Sequence, residues 1–493
     1  MIMELAGVRI ISPFFGSSHI VYTSIIGIIM AALSIGYWFG GKLSAKNPSN
    51  KKLSLIIFSA GLYILFLGLF QFNFLVYLNN FNLSLIINSI LSSLIMFAIP
   101  SILLGIVSPY TIQLAINEQK IKENTGSLVG RFYAFSTIGS ILGTFLCGFY
   151  LIIKFGINHI FIFLSLIIFL CSFLYLLIDL KNKKKTKNIK SIVIQLLAIF
   201  TTFSLLFYFS NNPIAVKVYE KAKIIHSSTS TYNFINIIEI KFDNNDFLLL
   251  ENGYSMMELN KNPNEVAYDY TKLFHNIFIN KEKRNNILIL GNAVGTFVSG
   301  ALYHIEQKNL QDINFDIVEI DPALTDVGEK YFGFPKNNKL LTYFYEDART
   351  FLNRETNKKY DLIYYDIYNN SLIFPFHLIT KETFEKINNL LENDGIFIMN
   401  IVGDTEKESK KYAYLRQIYT QVKKMFPQVS VYKMKNEEYN QDLPKNYLIC
   451  GYKSNKDNNI KSIKEMLSNI ELKDIEESNE IFTDEFSPVE KFF

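Results

Sequence analysis

Ile287-Leu288-Ile289-Leu290-Gly291-Asn292-Ala293-Val294-Gly295 runs from four apolar residues into two glycines four positions apart, and a helical pattern, Thr296–Glu306, comes next. A short apolar run bounded by glycine reads as a strand buried on both faces. Gly291 and Gly295 permit a tight turn and a close backbone approach to a ligand. Outward from this stretch the alternation repeats. Strand Phe315–Glu319, helix Ala323–Tyr331, strands Leu341–Tyr345 and Leu362–Tyr365, helix Thr380–Leu391, strand Ile396–Ile401 and helix Lys407–Met425 succeed one another, and Val429–Lys433 and Tyr447–Gly451 close the set. Such alternation predicts a mostly parallel, doubly wound, Rossmann-like α/β sheet with its ligand at the carboxyl ends of the strands. Upstream, Ile235–Ile240 and Phe247–Leu250 predict a small β element. Beyond Lys456 the pattern suggests a surface helix and a loose acidic end.

Each strand delivers something to that edge. The second ends Val318-Glu319-Ile320-Asp321-Pro322, the third Glu346-Asp347-Ala348-Arg349 and the fourth Tyr364-Tyr365-Asp366. An acidic residue after the second strand is placed to accept hydrogen bonds from ribose hydroxyls. Any one of these carboxylates is also a good helix N-cap, Asp347 and Asp366 in particular. A phosphate ligand would call for a basic residue or a richer glycine cradle, and no Lys comes after Gly295. An acidic rim suits a neutral or cationic nucleoside instead. S-adenosylmethionine and its decarboxylated form are sulfonium cations and meet that requirement.

The chain before this region has a different character. Of 493 residues 49% are hydrophobic and 15% aromatic, but up to Phe209 there are 15 Lys+Arg against 4 Asp+Glu, and afterwards 34 against 41. That asymmetry excludes a single soluble domain. Tyr22–Phe39, Leu53–Val76, Leu85–Val107, Phe132–Ile153, Ile160–Ile178 and Ile192–Phe209 carry no internal charge. Each meets or approaches the ~20 residues that cross a ~30 Å hydrocarbon core. Six spans are expected, in a multi-pass inner-membrane domain whose partner is the lipid bilayer. Met1–Ile11 is too short to cross alone and reads as a truncated or half-inserted helix. Lysines cluster at Lys42–Lys52, Lys120–Arg131 and Lys181–Lys190, so these loops are expected to be cytoplasmic. If the sixth run crosses, everything after Ser210 lies outside the cell, as the loop charges suggest; a nucleoside donor is made inside, and on that ground the cytoplasmic side is favoured while both stay open. The Lys181–Lys190 run lacks interleaved aromatics and reads as a topology anchor, not a nucleic-acid site. Gly36, Gly40 and Gly41, with Gly139 and Gly143, read as close-packing positions between helices. Cys147, Cys171 and Cys450 suggest neither a disulfide nor a metal cluster. The expected organisation is residues 1–209 transmembrane, 210–285 linker and small β subdomain, 286–455 catalytic and 456–493 tail.

From about Ser227 to Gly451 the chain resembles the spermidine synthase (polyamine aminopropyltransferase) family. The matching order is Ser230-x-Tyr232, Leu250-x-Asn252-Gly253, Glu265-x-x-Tyr268, the Gly291–Gly295 loop, Val318-Glu319-Ile320-Asp321, Asp347-Ala348-Arg349 and Tyr360-Asp361 with Asp366. The first half is similar to the multi-pass variant of that family at Arg9-x-x-x-Pro13-x-Phe15-Gly16-Ser17-Ser18 and at Ser34-x-Gly36-Tyr37-x-x-Gly40-Gly41, as is the later Pro375-x-His377-Leu378-x-Thr380. The resemblance implies that Asp366 is the catalytic aspartate. It implies that Gly291, Asn292, Gly295, Glu319, Asp321, Asp347 and Ala348 bind decarboxylated S-adenosylmethionine, with Glu319 on the ribose and Asp347 on the adenine amino group. Tyr232, Glu265, Tyr268 and Tyr368 would line the cavity for a small amine acceptor. No metal is implied, and relatives suggest a homodimer.

The departures concern the acceptor. Val294 stands where the family's glycine loop usually carries Asp, Asn264 replaces an acidic residue, Asp269 a His, and Asn369 a second Asp after the catalytic one. A bound diammonium wants charged partners, so these changes count against ordinary spermidine synthesis. Three functions fit: an aminopropyltransferase-like enzyme, an S-adenosylmethionine-dependent methyltransferase using the same pocket, and a membrane sensor or binding protein whose transferase domain is inactive.

Overall fold

The uncharged runs of the first half fold as helices, since a helix satisfies its backbone N–H and C=O groups within one segment. They are α1 (Ile2–Phe15), α2 (His19–Ala45), α3 (Asn50–Asn79), α4 (Leu85–Ser93), α5 (Ile99–Glu118), α6 (Thr125–Leu146), α7 (Ile152–Lys154), α8 (Ile157–Asn182) and α9 (Ile189–Asn211). Single π-helical turns, Leu94–Ala98 and Cys147–Leu151, join α4 to α5 and α6 to α7. This computed structural model describes every residue except 16–17, 80, 82–83, 119–124, 156, 183–188, 212–222, 231, 233, 243–244, 251–254, 259–268, 355–356, 369–373, 435–444, 455–457, 474 and 493. The chain divides into two units, Met1–Val216 with Ser228–Thr231, and Lys217–Ser227 with Tyr232–Phe493.

In the helical unit five stretches are long and apolar enough to cross a membrane: His19–Ala45, Asn50–Gln71, Leu85–Asn117, Thr125–Leu151 and Ile157–Leu180. The sixth expected run is helical as well, but its described apolar part, Lys190–Leu205, falls short of that length. Glycine lets two of these helices touch backbone to backbone. A Cβ at Gly36 would lie 2.4 Å from the Ile102 carbonyl oxygen, and one at Gly40 would lie 2.8 Å from that of Ile106. The other expected packing glycines differ, because Gly41 and Gly139 face open space and a Cβ at Gly143 would make only an ordinary contact with Ile2. Between α3 and α8, Ser54 Oγ donates to the Ser172 carbonyl at 2.9 Å and Ser172 Oγ returns the bond at 2.8 Å.

The second unit begins with a four-stranded sheet in the order β1 (Lys223–Thr229), β2 (Phe234–Phe242), β3 (Asn245–Leu250) and β4 (Ser255–Glu258). The alternation then runs α10 (Asp269–Asn280), β5 (Asn286–Leu290), α11 (Thr296–Gln307), β6 (Asn314–Val318), α12 (Pro322–Phe332), β7 (Leu341–Phe344), α13 (Ala348–Leu352) and β8 (Tyr360–Tyr365). It continues with α14 (Lys381–Leu390), β9 (Leu391–Gly403), α15 (Lys410–Met425), β10 (Gln428–Lys433), β11 (Lys445–Tyr452), α16 (Asn458–Leu467) and β12 (Glu471–Leu472). The main sheet has the order β12-β10-β11-β9-β8-β5-β6-β7. β7, β6, β5, β8 and β9 are parallel, and β11 and β10 add an antiparallel edge. This is the Rossmann-like, doubly wound sheet that the strand–helix alternation predicts.

Burial on both faces explains the continuous apolar runs. Leu288 and Leu290 point into one core with Ile363, Tyr365, Phe397 and Met399, while Ile287 and Ile289 point into the other with Leu362, Tyr364, Ile396 and Ile398. Each such aliphatic side chain contributes about 1.5–3 kcal/mol by leaving water. The chain reverses its winding between β5 and β8, so the open crevice of this topology lies beyond Leu290 and Tyr365. The C-terminal end is not loose. Phe482 and Val489 are buried in the first of these cores, and the Lys381 amide donates to the Phe482 carbonyl at 2.8 Å. Its charged residues hid that anchoring, because the apolar contacts are spaced too widely to show a period.

The α2–α5 contact is directly testable. Gly36→Val should destabilise the protein in detergent by roughly 1–3 kcal/mol, the usual effect of overpacking, whereas Gly41→Val should leave the thermal midpoint unchanged. Equal midpoints for the two variants would show that the close crossing does not hold these helices.

Candidate functional site

Gly291 ends β5 and starts the turn. Its φ is 87°, and a Cβ there would sit 2.2 Å from the Asp366 carbonyl oxygen, so only glycine lets β5 and β8 end side by side. The Asp366 amide donates to the Leu290 carbonyl at 2.9 Å, and the Gly291 amide to that of Val318 at 2.9 Å. Ala293 is left-handed too, with φ 48°. That geometry costs a residue with a Cβ about 1 kcal/mol or more, and the Glu319 carboxylate opposes the strain. Its Oε2 accepts from the Asn292 and Ala293 amides at 3.0 and 2.9 Å, and its Oε1 from the Asp321 amide at 3.0 Å. Burial pushes the Glu319 carboxyl up, only partly offset by the three amides.

Two of the four carboxylates act as helix caps. Asp321 Oδ1 accepts from the Ala323 amide at 3.1 Å at the start of α12. Asp347 Oδ1 accepts from the Arg349 and Thr350 amides at 2.8 and 3.3 Å, with Ala348 buried behind it. Asp347 Oδ2 remains on the open side, 3.1 Å from His377 Nε2. Burial alone would raise the Asp347 carboxyl, but His377 and the two amides outweigh it and hold it below the usual range. Sequence reasoning left His377 as a family signature; its pairing with Asp347 spans 30 residues and gives no local signal.

Asp366 does something else: its oxygens receive side chains. Asn400 Nδ2 donates to Oδ1 at 3.0 Å and the Tyr364 hydroxyl to Oδ2 at 3.0 Å. The Tyr270 hydroxyl adds a further hydrogen bond. Burial raises the Asp366 carboxyl, and although all three donors pull it down it ends at about 6. Tyr364 is clamped by its ring, which stacks on Phe297 at 4.3 Å and lies 4.8 Å from Phe274. Burial raises the Tyr364 phenol far above its ordinary value, so it stays a donor. Tyr270 and Asn400 come from α10 and β9, and sequence reasoning missed both because nothing near Asp366 in the chain announces them.

The remaining expected residues have other settings. Tyr368 packs on Phe374 at 4.3 Å, donates to the Asn400 carbonyl at 3.1 Å and accepts from the Val402 amide at 2.9 Å. Its hydroxyl is therefore tied to β9, leaving the ring as a wall beside Asp366. Tyr232 is 45% exposed and is not among the groups that bond Asp366. Glu265 and Tyr268 lie outside the described residues. Gly295 has φ 78° and faces the Phe334 ring. Val294 is fully buried in an apolar cluster with Ile235, Ile237, Leu248, Leu250, Leu324 and Val327.

Three features mark this edge as able to hold a nucleoside. Asn292 is 6% exposed, yet both atoms of its side-chain amide lack a partner among the described residues. Glu319 has used three of about four acceptor sites. Asp347 Oδ2 has a single partner, His377, among the described residues. Carboxylates with no lysine beside the turn favour a cation over a phosphate.

Sheet order and edge chemistry together define a methyltransferase-type Rossmann-like domain. Residues 268–461 match the family described as Spermine/spermidine synthase domain. The Polyamine aminopropyltransferase of Vibrio vulnificus is 26% identical over 208 residues, covering 40% of this chain and 66% of the relative. Polyamine aminopropyltransferase 2 of Aquifex aeolicus is 25% identical over 341 residues, covering 67% of this chain and 62% of the relative. Among solved structures, the spermidine synthase from Thermotoga maritima has a TM-score of 0.38 at 18% identity, covering 52% of this chain and 81% of that one. The C-terminal region of the chain carries a spermine/spermidine synthase domain. The chain spans less than two thirds of the length of the two curated relatives.

Tyr364→Phe keeps the stacked ring and removes one donor to the Asp366 carboxylate. Hydrogen bonds to the charged form lower a carboxyl pKa, so the variant's should rise above about 6. Infrared titration of the carboxyl band should show the midpoint moving upward relative to the wild type, and an unmoved midpoint would remove Tyr364 from the network.

Proposed function

We propose that the chain is a membrane-bound, spermidine-synthase-like transferase that moves an aminopropyl group from decarboxylated S-adenosylmethionine to an amine. The observation that carries this is the half-buried Asp366 at the switch point, held by Tyr270, Tyr364 and Asn400 beside the Gly291 turn and poised at about 6. In this reading Glu319 Oε1 accepts a ribose hydroxyl with its unused lone pair. Asp347 Oδ2 accepts the adenine amino group while keeping His377, since one oxygen can accept twice. Asn292 turns its free amide to the nucleoside.

The chemistry asks little beyond alignment and a proton acceptor. The amine nitrogen attacks the carbon next to sulfur; the C–N bond forms, the C–S bond breaks, and its electron pair leaves with a neutral thioether. Asp366 takes the proton that the nitrogen must shed. Half-buried and with no cation paired to it among the described residues, it is half protonated near pH 6. A sulfonium close by favours the charged form, so donor binding readies the base. Tyr368 and Phe374 supply an apolar wall for the acceptor.

Val294 supports a second reading, methyl transfer from S-adenosylmethionine. Its side chain lies in an apolar cluster, so this position gives no carboxylate for an aminopropyl ammonium. Incubating the protein with both sulfonium donors and a panel of amines, then weighing the products, separates the two readings. An aminopropyl adduct adds 57 Da and a methyl adduct 14 Da, about the masses of C3H7N and CH2 from simple composition. Asp366→Asn should lower turnover about 10²–10⁴-fold while nucleoside affinity by calorimetry stays within a few-fold. Undiminished turnover in that variant would remove Asp366 as the base, and the absence of any adduct from either donor would overturn the enzyme reading.

Sidedness depends on the helix count. With five crossings, the loops at Lys42–Lys52, Lys120–Arg131 and Lys181–Lys190 all fall on the cytoplasmic side. If α9 then stays at the interface, the transferase unit remains inside with its donor. A green fluorescent protein fused after Ser210 should fluoresce and an alkaline phosphatase fused there should be inactive; the reverse pattern would mean that α9 crosses.

A further inference from the structure

The helical unit contains a cavity of about 240 Å³ lined by Lys42, Leu43, Lys46, Lys52, Ile56 and Tyr110. Three exposed lysines at the end of α2 and the start of α3 thus border one hollow, with α5 contributing the tyrosine. Lysines at helix ends commonly only anchor topology, and two further observations set these apart. The first is charge balance. Among the described residues no carboxylate forms an ion pair with any of the three. Lys42 Nζ lies 3.7 Å over the Trp38 ring and Lys52 Nζ donates to the Asn47 carbonyl at 3.1 Å, which leaves each ammonium with protons to give. The nearby Asp179 bonds the Lys51 amide at 3.3 Å and does not line the cavity.

The second observation is Tyr110. It is 1% exposed, and its hydroxyl oxygen accepts from the Ser49 amide at 3.1 Å. Its own proton has no acceptor among the described residues. A buried donor without an acceptor is unfavourable by about 1–3 kcal/mol, and here it lines the same hollow as three unneutralised cations. What completes the site is an acceptor-rich anion. The volume is below the ~300–1,000 Å³ of pockets that take whole drug-sized ligands, which suits a headgroup. Trp38, 58% exposed, sits one turn before Lys42, where interfacial tryptophans lie at headgroup depth.

We propose that this pocket binds a phosphate group, supplied by an anionic phospholipid headgroup or by a soluble phosphate. It is independent of the transferase site, so its failure would leave the reading of Asp366 untouched.

The test uses the full chain, delipidated in a nonionic detergent. Dioleoylphosphatidylglycerol and dioleoylphosphatidylcholine are titrated by native mass spectrometry, and inorganic phosphate by calorimetry. The wild type should retain phosphatidylglycerol in preference to phosphatidylcholine. Lys42→Gln/Lys46→Gln/Lys52→Gln should weaken it about a hundredfold, from roughly one tenfold step or less per lysine, and the corresponding triple Arg variant should bind within a few-fold of wild type. Tyr110→Phe, which removes only the hydroxyl, should weaken binding several-fold and decides the matter if the triple Gln variant does not fold. Phosphate binding that is lost in these variants, with no preference between the lipids, assigns the site to a soluble phosphate. Unchanged affinity for both probes in Tyr110→Phe or in the folded triple Gln variant would overturn the proposal.

Discussion

One carboxylate holds the edge of the α/β unit together. Glu319 receives the amides of Asn292, Ala293 and Asp321, so a single side chain fixes the turn after β5 to the end of β6. Without it, Ala293 has little reason to remain left-handed, and Gly291 loses the geometry that seats it against Asp366. Bonds between a charged acceptor and backbone amides are stronger than neutral ones, and these are buried. The group read as a ribose acceptor therefore also builds the surface that the nucleoside would meet. Position and function cannot be separated at Glu319, as they can at Tyr364, whose ring is held by Phe297 and Phe274 independently of its hydroxyl.

Much of this edge was legible before any coordinates, and the reason is local. Strands buried on both faces announce themselves as apolar runs, and in a parallel sheet the residue after each run must emerge at the carboxyl edge. Leu290 leads to Gly291, Val318 to Glu319 and Tyr365 to Asp366 by chain connectivity alone. The partners of those residues were not legible because they arrive from elsewhere. Asn400 reaches Asp366 from 34 residues away, and Asp484 reaches Arg349 across 135. No periodicity encodes such pairings. The cap alternative was also undecidable from sequence. It applies to Asp321 and Asp347, while Asp366 is bonded by side chains instead.

The helical unit was legible in composition and less so in detail. Uncharged length identifies helices, but it does not say which of them cross, and the side of the transferase unit rests on α9. A glycine's presence likewise does not reveal its neighbour. Gly36 and Gly40 meet the backbone of α5, whereas Gly41, on the same helix, meets nothing. Adjacent positions differ by ~100° around a helix, so a motif of three glycines has only two on the contact face.

Polar groups in both units obey one rule with two outcomes. A buried donor or acceptor needs a partner. Ser54 and Ser172 satisfy each other reciprocally as a clasp between α3 and α8, and Ser54 Oγ also accepts from Gln195 of α9. Serine is also forgiving, because its hydroxyl can rotate toward the carbonyl of the preceding turn, as Ser24, Ser59 and Ser89 do. The planar amide of Asn292 has no such escape. An orphaned rotor such as Ser92 or Ser93 is weak evidence for a ligand, whereas an orphaned rigid group is strong evidence. One rigid orphan, Asn292, stands where independent observations already gather, beside a left-handed turn and a buried carboxylate.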